Sequence, residues 1–154
     1  MDKGVLIMHR IHGSTTDINV SADRAVTKMK ATITQRFQFD DGIEADAESD
    51  CRFVFFWSKD KQTDAWGADF VRHFYEKDKL IPVDPNRVLQ IDAARAPVGY
   101  RYLAYCQEML MGVDVIKDLP GHRRAGDKIA NGRKHDVLYK QIKSCMDGED
   151  VDVL

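Results

Sequence analysis

The sequence predicts an α+β domain in which a curved antiparallel sheet is followed by helices. Two observations support this prediction. Four stretches in the first half alternate apolar and polar residues with a period of two, which is typical of strands that bury one face. After Pro82 and Pro85, which cannot donate to a strand ladder, apolar residues recur at helical spacing instead. We therefore expect a sheet region over residues 1–84 and a helical extension of the same domain over residues 85–154.

The strands are predicted from this alternation and from the turns between them. Short polar segments at residues 21–23, 40–42 and 58–64 connect the strands, and short turns between consecutive strands favour an antiparallel meander. The predicted strands are residues 4–12, 24–39, 43–57 and 66–76. The inward sets of the second and third strands are Ala25, Thr27, Met29, Ala31, Ile33, Gln35, Phe37 and Phe39, and Ile43, Ala45, Ala47, Ser49, Cys51, Phe53, Phe55 and Trp57.

Two helices are predicted after the sheet. The first covers residues 99–111 and stops at Gly112, and the second covers residues 135–146. Residues 113–134 between them are rich in Gly and Arg and indicate an exposed loop. The apolar stripes of the two helices are Leu103, Cys106 and Leu110, and Leu138, Ile142 and Cys145.

Composition limits the possible location and partners. The chain has 154 residues and a formal net charge of −2 with mixed charges, which predicts one domain and no nucleic-acid partner. Three distant cysteines suggest reduced thiols, and neither a signal sequence nor a membrane-length apolar run is present in the sequence. We therefore expect a cytoplasmic protein that does not bind membranes.

A few polar side chains are predicted to point into the apolar face of the sheet. Alternation places His9 and Arg72 there, and polar groups aimed into an apolar concavity are typical of a small-molecule pocket. The neighbours on this face are Val5, Ile7 and Ile11 for His9, and Trp66, Ala68, Phe70 and Phe74 for Arg72.

The same segments resemble a known family. The run from His9 through Asp23-Arg24-Ala25 into a long strand, the strand ending in Phe55-Phe56-Trp57 and the strand starting at Trp66 resemble the second half of a SnoaL-like domain. That domain belongs to the cone-shaped α+β superfamily named after nuclear transport factor two, which includes polyketide cyclases, scytalone dehydratase, ketosteroid isomerase and non-enzymatic modules. The resemblance covers about residues 4–80. It implies a cone around a small-molecule ligand and a homodimer formed through the outer sheet face.

The C-terminal part and one sequence departure refine this resemblance. Residues 99–105 and 118–121 are similar to uncharacterised fungal SnoaL-like proteins. His9 and Gly13 match an active-site pattern of scytalone dehydratase, whereas Gln35 stands where that enzyme has a second histidine.

The sequence also lacks the N-terminal helices that usually close the cone. We therefore expect either a truncated chain or a cone covered by the C-terminal helices or a partner subunit, since an uncovered apolar face would aggregate.

These observations predict a cofactor-independent lyase, isomerase or cyclase that acts on an apolar, oxygenated, polyketide-like molecule. His9 is the expected general base, and Gln35 and Arg72 would hold developing oxyanion charge. The expected substrate-binding residues are His12, Cys51, Phe53, Trp66 and Tyr75.

Each assignment has a structural alternative. His9 fits a hydrogen-bonded core histidine, and Cys51 fits a small buried apolar residue. Arg72 fits an ion pair with Glu76, Asp50 or Glu48. If the strand is regular, His12 faces away from His9, and a bulge near Gly13 would change this.

No metal or cofactor is predicted. The carboxylates of Asp46, Glu48 and Asp50 are better explained by cross-strand ion pairs with Lys28, Lys30 and Arg36. His122 lies in a basic loop and lacks ligand-like neighbours. The competing function is a non-catalytic ligand-binding or protein-interaction module of the same fold. A weaker alternative is a chain that assembles by exchanging elements with a second copy.

Overall fold

The computed structural model describes residues 6–121 and 133–151 and has an α+β architecture. A curved four-stranded antiparallel sheet has the strand order β1-β2-β3-β4, so the predicted meander is confirmed. The elements are β1 (Leu6–Ile18), β2 (Arg24–Gln38), β3 (Glu44–Lys59), β4 (Trp66–Pro82), α1 (Arg101–Met111) and α2 (Arg133–Met146). Residues 122–132 of the predicted loop, with His122, and residues 4–5 of the first predicted strand, with Val5, lie outside the described residues.

The two faces of the sheet carry different sets of side chains. Ala31 pairs with Cys51 and Gln35 pairs with Ala47, so the predicted inward sets of β2 and β3 share one face. His9 of β1 pairs with Ile33 and lies on this same side, together with Ile7 and Ile11 as predicted. We call this side the His9 face, and the opposite side, which is packed against α2, the α2 face.

Helix α1 packs on the His9 face. Its buried residues Leu103 and Cys106 contact Phe37 and Ala47 at one end of the sheet. The helix ends at Gly112, whose left-handed φ of 69° allows its backbone N–H to bond to the last carbonyls, as the predicted stop requires. The positions predicted to form the apolar stripe of this helix therefore do contact the sheet.

Helix α2 packs on the opposite side. Leu138 and Cys145 join a buried cluster with Val26, Val54 and Phe56, and Ile142 packs against it. The predicted stripe of α2 is thereby confirmed, and the sheet lies between the two helices.

Strands β1 and β4 extend further than predicted. β1 continues to Ile18 and β4 continues to Pro82, which pairs with Ala45 at the last position of an edge strand. A proline fits at this position because an edge strand has one side without ladder partners. β4 therefore ends where the sequence placed the first of its two prolines.

β4 contains two bulges that alter which side chains face which side. Trp57 pairs with Ala68 and Phe56 pairs with Phe70, which leaves Asp69 as an extra residue. Likewise Asp50 pairs with Lys77 and Cys51 with Tyr75, which leaves Glu76 as an extra residue.

The first bulge overturns the predicted position of Arg72. Arg72 pairs with Val54 and lies on the α2 face with Phe70 and Phe74, whereas Trp66 and Ala68 are on the His9 face. The prediction that all five share one face was wrong because alternation counted from Trp66 is displaced by one residue after Asp69.

Neither helix of the described chain is both long enough and apolar enough to serve as a membrane-spanning segment.

Candidate functional site

The His9 face carries a histidine and a tyrosine of β4 in contact with each other. His73 Nδ1 lies 3.5 Å from the hydroxyl oxygen of Tyr75. The His73 ring also stands edge-on to Phe53, its cross-strand partner, with ring centroids 4.3 Å apart. These contacts fix the plane of the imidazole against an apolar surface.

Burial sets the protonation of both groups. Burial lowers the pKa of His73, and the charge of His9 lowers it further. Burial raises the pKa of Tyr75 above its ordinary value. At neutral pH the site therefore holds a neutral imidazole beside a protonated phenol.

His9 lies on the same face of the sheet as this pair, at the opposite edge. His9 lies on β1 and is solvent-exposed, whereas His73 lies on β4. Strands β2 and β3 separate the two in the sheet. Both histidines lie on the same face of the curved sheet, and the charge of His9 contributes to the lowered pKa of His73.

Gln35 lies on the His9 face but is held by α1. Its side chain is buried, accepts a hydrogen bond from Gln107 Nε2 at 3.3 Å and donates to Met111 Sδ at 3.6 Å. Through these bonds Gln35 helps to hold α1 against the sheet, in addition to any role in binding a ligand.

Besides Tyr75, three of the predicted substrate-binding residues lie on this face, in different settings. Cys51 is fully buried, its Sγ lies 3.5 Å from the carbonyl oxygen of Ala31, and burial raises the pKa of its thiol to about 11, so it packs as a small apolar group. Phe53 is also buried and contacts His73. Trp66 pairs with Lys59 at the start of β4 and is 42% exposed.

His12 lies on the α2 face. It occupies a bulge between Ile11 and Gly13, and its Nε2 is 2.7 Å from the hydroxyl oxygen of Thr32, which donates to Asp50 at 2.6 Å. A bulge near Gly13 is therefore present, but it does not bring His12 to the side of His9.

Arg72 is held against α2. Its Nε donates to Gln141 Oε1 at 3.4 Å, and its guanidinium lies 5.0 Å from the ring centroid of Phe70. The structure therefore separates two of the predicted site residues, His12 and Arg72, from His9, Gln35 and Tyr75.

The three carboxylates of β3 form cross-strand ion pairs as predicted, but only Asp46 pairs with one of the predicted cations of β2. Arg36 binds Asp46 through two nitrogens at 2.8 and 2.9 Å, and this hydrogen bonding lowers the pKa of Asp46. Glu48 and Asp50 pair instead with lysines of β4, at 2.9 Å with Lys79 and 3.4 Å with Lys77. Across residues 6–121 and 133–151, no three His, Cys, Asp or Glu side chains form a metal-binding group.

Sequence reasoning missed His73 and Asp78. Alternation counted from Trp66 assigned Arg72 rather than His73 to the apolar face, because the extra residue Asp69 has no sequence signal. Asp78 lies between two lysines and resembles a solvent-exposed charge, yet it faces α1, and burial raises the pKa of its carboxyl to about 6. Its cross-strand partner is Ser49, whose buried hydroxyl has no hydrogen-bond partner within the described residues.

The chain is similar over almost its full length to fungal proteins. No protein-family model matches it. It is 57% identical to an uncharacterized protein of Emericella nidulans, 54% identical to a PEP2-like protein of Fusarium vanettenii and 53% identical to Pea pathogenicity protein 2 of the same species. Each alignment covers 99% of this chain but only 66%, 65% and 65% of the three relatives. The chain thus spans about two thirds of the length of these relatives, and its homologues are fungal proteins that are uncharacterised or PEP2-like.

Proposed function

We propose that the His9 face is the wall of a small-molecule pocket in a SnoaL-like cone, and that the protein is a cofactor-independent lyase, isomerase or cyclase. Its substrate would be an apolar, oxygenated molecule of polyketide type. The observation that carries the proposal is the contact between His73, whose pKa is lowered by burial, and Tyr75 on an apolar surface.

The proposed base is His73, with His9 as its partner. In the tautomer that donates from Nδ1 to the Tyr75 hydroxyl, the lone pair is on Nε2, which is then free to accept a proton from carbon next to a carbonyl. His9, on the opposite edge strand and the same sheet face, would return a proton to oxygen. The proposal retains His9 as an acid–base group and replaces Arg72 by His73 as the β4 residue of the site.

The apolar surroundings support this chemistry. Phe53, Met29 and Ile33 belong to one cluster on this face, together with the ring of Tyr75. A base in such surroundings is less solvated than in water, and a carbonyl compound would be oriented by contact with the aromatic rings and a hydrogen bond from Tyr75.

The test uses 5-nitrobenzisoxazole, a general probe for a base in an apolar site. Base removes its C3 proton, the N–O bond breaks, and the coloured cyanophenolate product is followed directly. We expect turnover by the wild type and loss of most of it in His73→Phe, which keeps an aromatic ring beside Phe53. The rate should rise with pH through a pKa below 6.5, because the neutral imidazole is the reactive form.

Phe56→Leu on the α2 face is the control for a general loss of packing. Equal turnover in His73→Phe and the wild type, with both proteins folded, would remove His73 from the mechanism.

The second candidate is a non-catalytic binding or interaction module. The observation that favours it is the exposure of β1, where every residue is exposed and Ile11 reaches 62%. An edge strand with exposed apolar side chains is a typical place for a partner strand to add. Saturable binding of aromatic polyketides without conversion, unaffected by His73→Phe, would favour this candidate.

We further propose a cytoplasmic homodimer. The three buried free thiols are typical of a reducing compartment, which supports the cytoplasm as the location.

The expected dimer interface is the outer sheet face, which is the α2 face. Helix α2 occupies part of this face, over Val26 and Val54, so a dimer formed there would use the surface that α2 leaves uncovered. Light scattering at micromolar concentration would measure the mass, and a single-chain mass of 17.6 kDa would contradict the dimer.

A further inference from the structure

We propose that a cleft between the α2 face and α2 binds a free organic carboxylate with an apolar chain, at a site separate from the proposed pocket on the His9 face. The cleft has a volume of about 590 Å³. This is within the range of small-molecule sites.

The floor of the cleft is apolar. Val54 and Phe74 of the sheet and Leu138 and Ile142 of α2 line it, and all four belong to or pack against the buried cluster under α2. An alkyl or aryl group in this cleft would be in contact with the protein on two sides. The free energy of binding would come mainly from removing that group from water.

The rim of the cleft is cationic. Lys28, Lys30 and Arg52 line it, and none of the described residues that line the cleft is an aspartate or glutamate. The guanidinium of Arg52 stands 4.7 Å from the ring centroid of Phe74, so a cation lies directly beside the apolar floor. A ligand with an apolar body and an anionic end matches this arrangement.

Among the described residues, neighbouring carboxylates compensate these cations only in part. Lys30 and Arg52 share the single carboxylate of Glu76, at 3.2 and 2.5 Å, while Lys28 binds Asp17 at 2.9 Å. Two cations on one carboxylate leave an excess of positive charge at the rim. The Arg52 bond uses Nε, and a guanidinium has five N–H donors, so a second carboxylate can be bound on its outer side.

Glu76 is present in this position because of the second bulge of β4. It is the extra residue between Tyr75 and Lys77, and its carboxylate is held below Lys30 and Arg52. Burial opposes ionisation of Glu76, but the hydrogen bonds from Arg52 and Lys30 outweigh it and lower its pKa. The rim is thus held in place before any ligand arrives.

The experiment follows the methyl signals of the full chain while decanoate is added below its micelle concentration. We expect saturable shifts at Val54, Leu138 and Ile142, which line the cleft. The neutral analogue 1-decanol should bind at least about fivefold more weakly, because it lacks the charge that the rim binds.

Two charge-matched double variants separate a specific rim from general attraction. Lys28→Gln/Lys30→Gln should weaken decanoate binding about five- to tenfold. Lys77→Gln/Lys79→Gln removes the same charge from the same face outside the cleft and should leave the affinity within about twofold.

Three results would overturn the proposal: no shift at the cleft methyl groups, equal affinity for decanoate and 1-decanol, or equal weakening by the two double variants. Shifts confined to Ile7, Ile11 and Ile33 would place the ligand on the His9 face instead. That result would support the proposed pocket while excluding this second site.

Discussion

The Oδ2 atom of Asp78 in β4 lies 2.6 Å from the backbone nitrogen of Tyr102 in the first turn of α1. The same oxygen accepts a second bond from the nitrogen of Leu103 at 2.9 Å. Helix α1 has no side-chain cap of its own at Tyr100, so a carboxylate from the sheet satisfies its first free N–H groups. This contact fixes the helix on the His9 face beside the proposed pocket.

Asp78→Asn should gain stability relative to the wild type as pH rises. Burial raises the pKa of the Asp78 carboxyl to about 6, above the ordinary 3.8, so the folded wild type binds more protons than the unfolded chain between these values. Its free energy of unfolding therefore falls as pH rises from 4 to 6, and asparagine does not ionise. Urea unfolding at pH 4 and pH 7 should show a relative gain of about 1–2 kcal/mol for the variant.

Asp46→Asn is the control, because its stability relative to the wild type should change with pH in the opposite direction. Hydrogen bonding by Arg36 lowers the pKa of Asp46, so its carboxylate contributes stability above pH 3.8 that is lost as pH falls through the lowered value. Relative to the wild type, Asp46→Asn should lose stability as pH rises from 3 to 5. The same slope for both variants would contradict the assigned environment of Asp78.

Gly99→Ala should destabilise the protein because of one close approach. An added Cβ would stand 2.7 Å from the backbone oxygen of Tyr75, and neither backbone segment can move away freely. We expect a loss of about 1–3 kcal/mol in the free energy of unfolding, together with a shift of the Tyr75 ring signals.

Gly67→Ala supplies the matched control for this substitution. A Cβ there would meet no atom within 4 Å, so the change should stay within about 0.5 kcal/mol. A Gly99→Ala protein as stable as Gly67→Ala would show that residue 99 does not pack on Tyr75 in this way.

Replacement of His9 should raise the pKa of His73, and replacement of Arg72 should not. The charge of His9 lowers the pKa of His73, so His9→Gln removes an opposing charge. Arg72 lies on the other face against Gln141 and Phe70, and Arg72→Gln should mainly cost stability, by about 1 kcal/mol.

A histidine titration by NMR measures the pKa of His73 in the wild type and in each of the two variants. A larger rise in Arg72→Gln than in His9→Gln would place Arg72 on the His9 face and contradict the bulge at Asp69.

The three cysteines should be unreactive in the folded protein. Burial raises the pKa of Cys51 to about 11 and that of Cys106 to about 12, and it also raises the pKa of Cys145. Since the thiolate is the reactive form, a disulfide reagent at pH 8 should modify the native protein at least about 100-fold more slowly than the protein in guanidinium. Rapid reaction of one thiol under native conditions would show that its cluster opens.

The fold was predictable where the strands are regular. β2 and β3 pair without interruption from Arg24 to Gln38, so strict alternation assigned Ala31, Gln35 and Cys51 to the correct face. Helix α2 was predictable for a similar reason, since Leu138, Ile142 and Cys145 recur at the spacing of one helical face.

The site was less predictable because bulges have weak sequence signals. Asp69 and Glu76 are ordinary polar residues in an alternating strand, and nothing in their identity marks them as extra. Arg72 was therefore assigned to the wrong side, and His73 was left out of the predicted site. The role of Asp78 depends on a helix more than twenty residues further along the chain, and local patterns do not contain such information.

Because a bulge lies at each end of residues 70–75, this stretch of β4 has a conceivable alternative pairing with β3. If the stretch 70–75 slid by one residue between them, the rest of β4 would keep its pairing, but His73 and Tyr75 would exchange sides with Arg72 and Phe74. In the observed register Phe70 and Phe74 pack under α2 and Tyr75 bridges to Gly121, and the shifted register would lose these contacts. We therefore infer that packing of α2 on the α2 face favours the register in which His73 and Tyr75 lie on the His9 face.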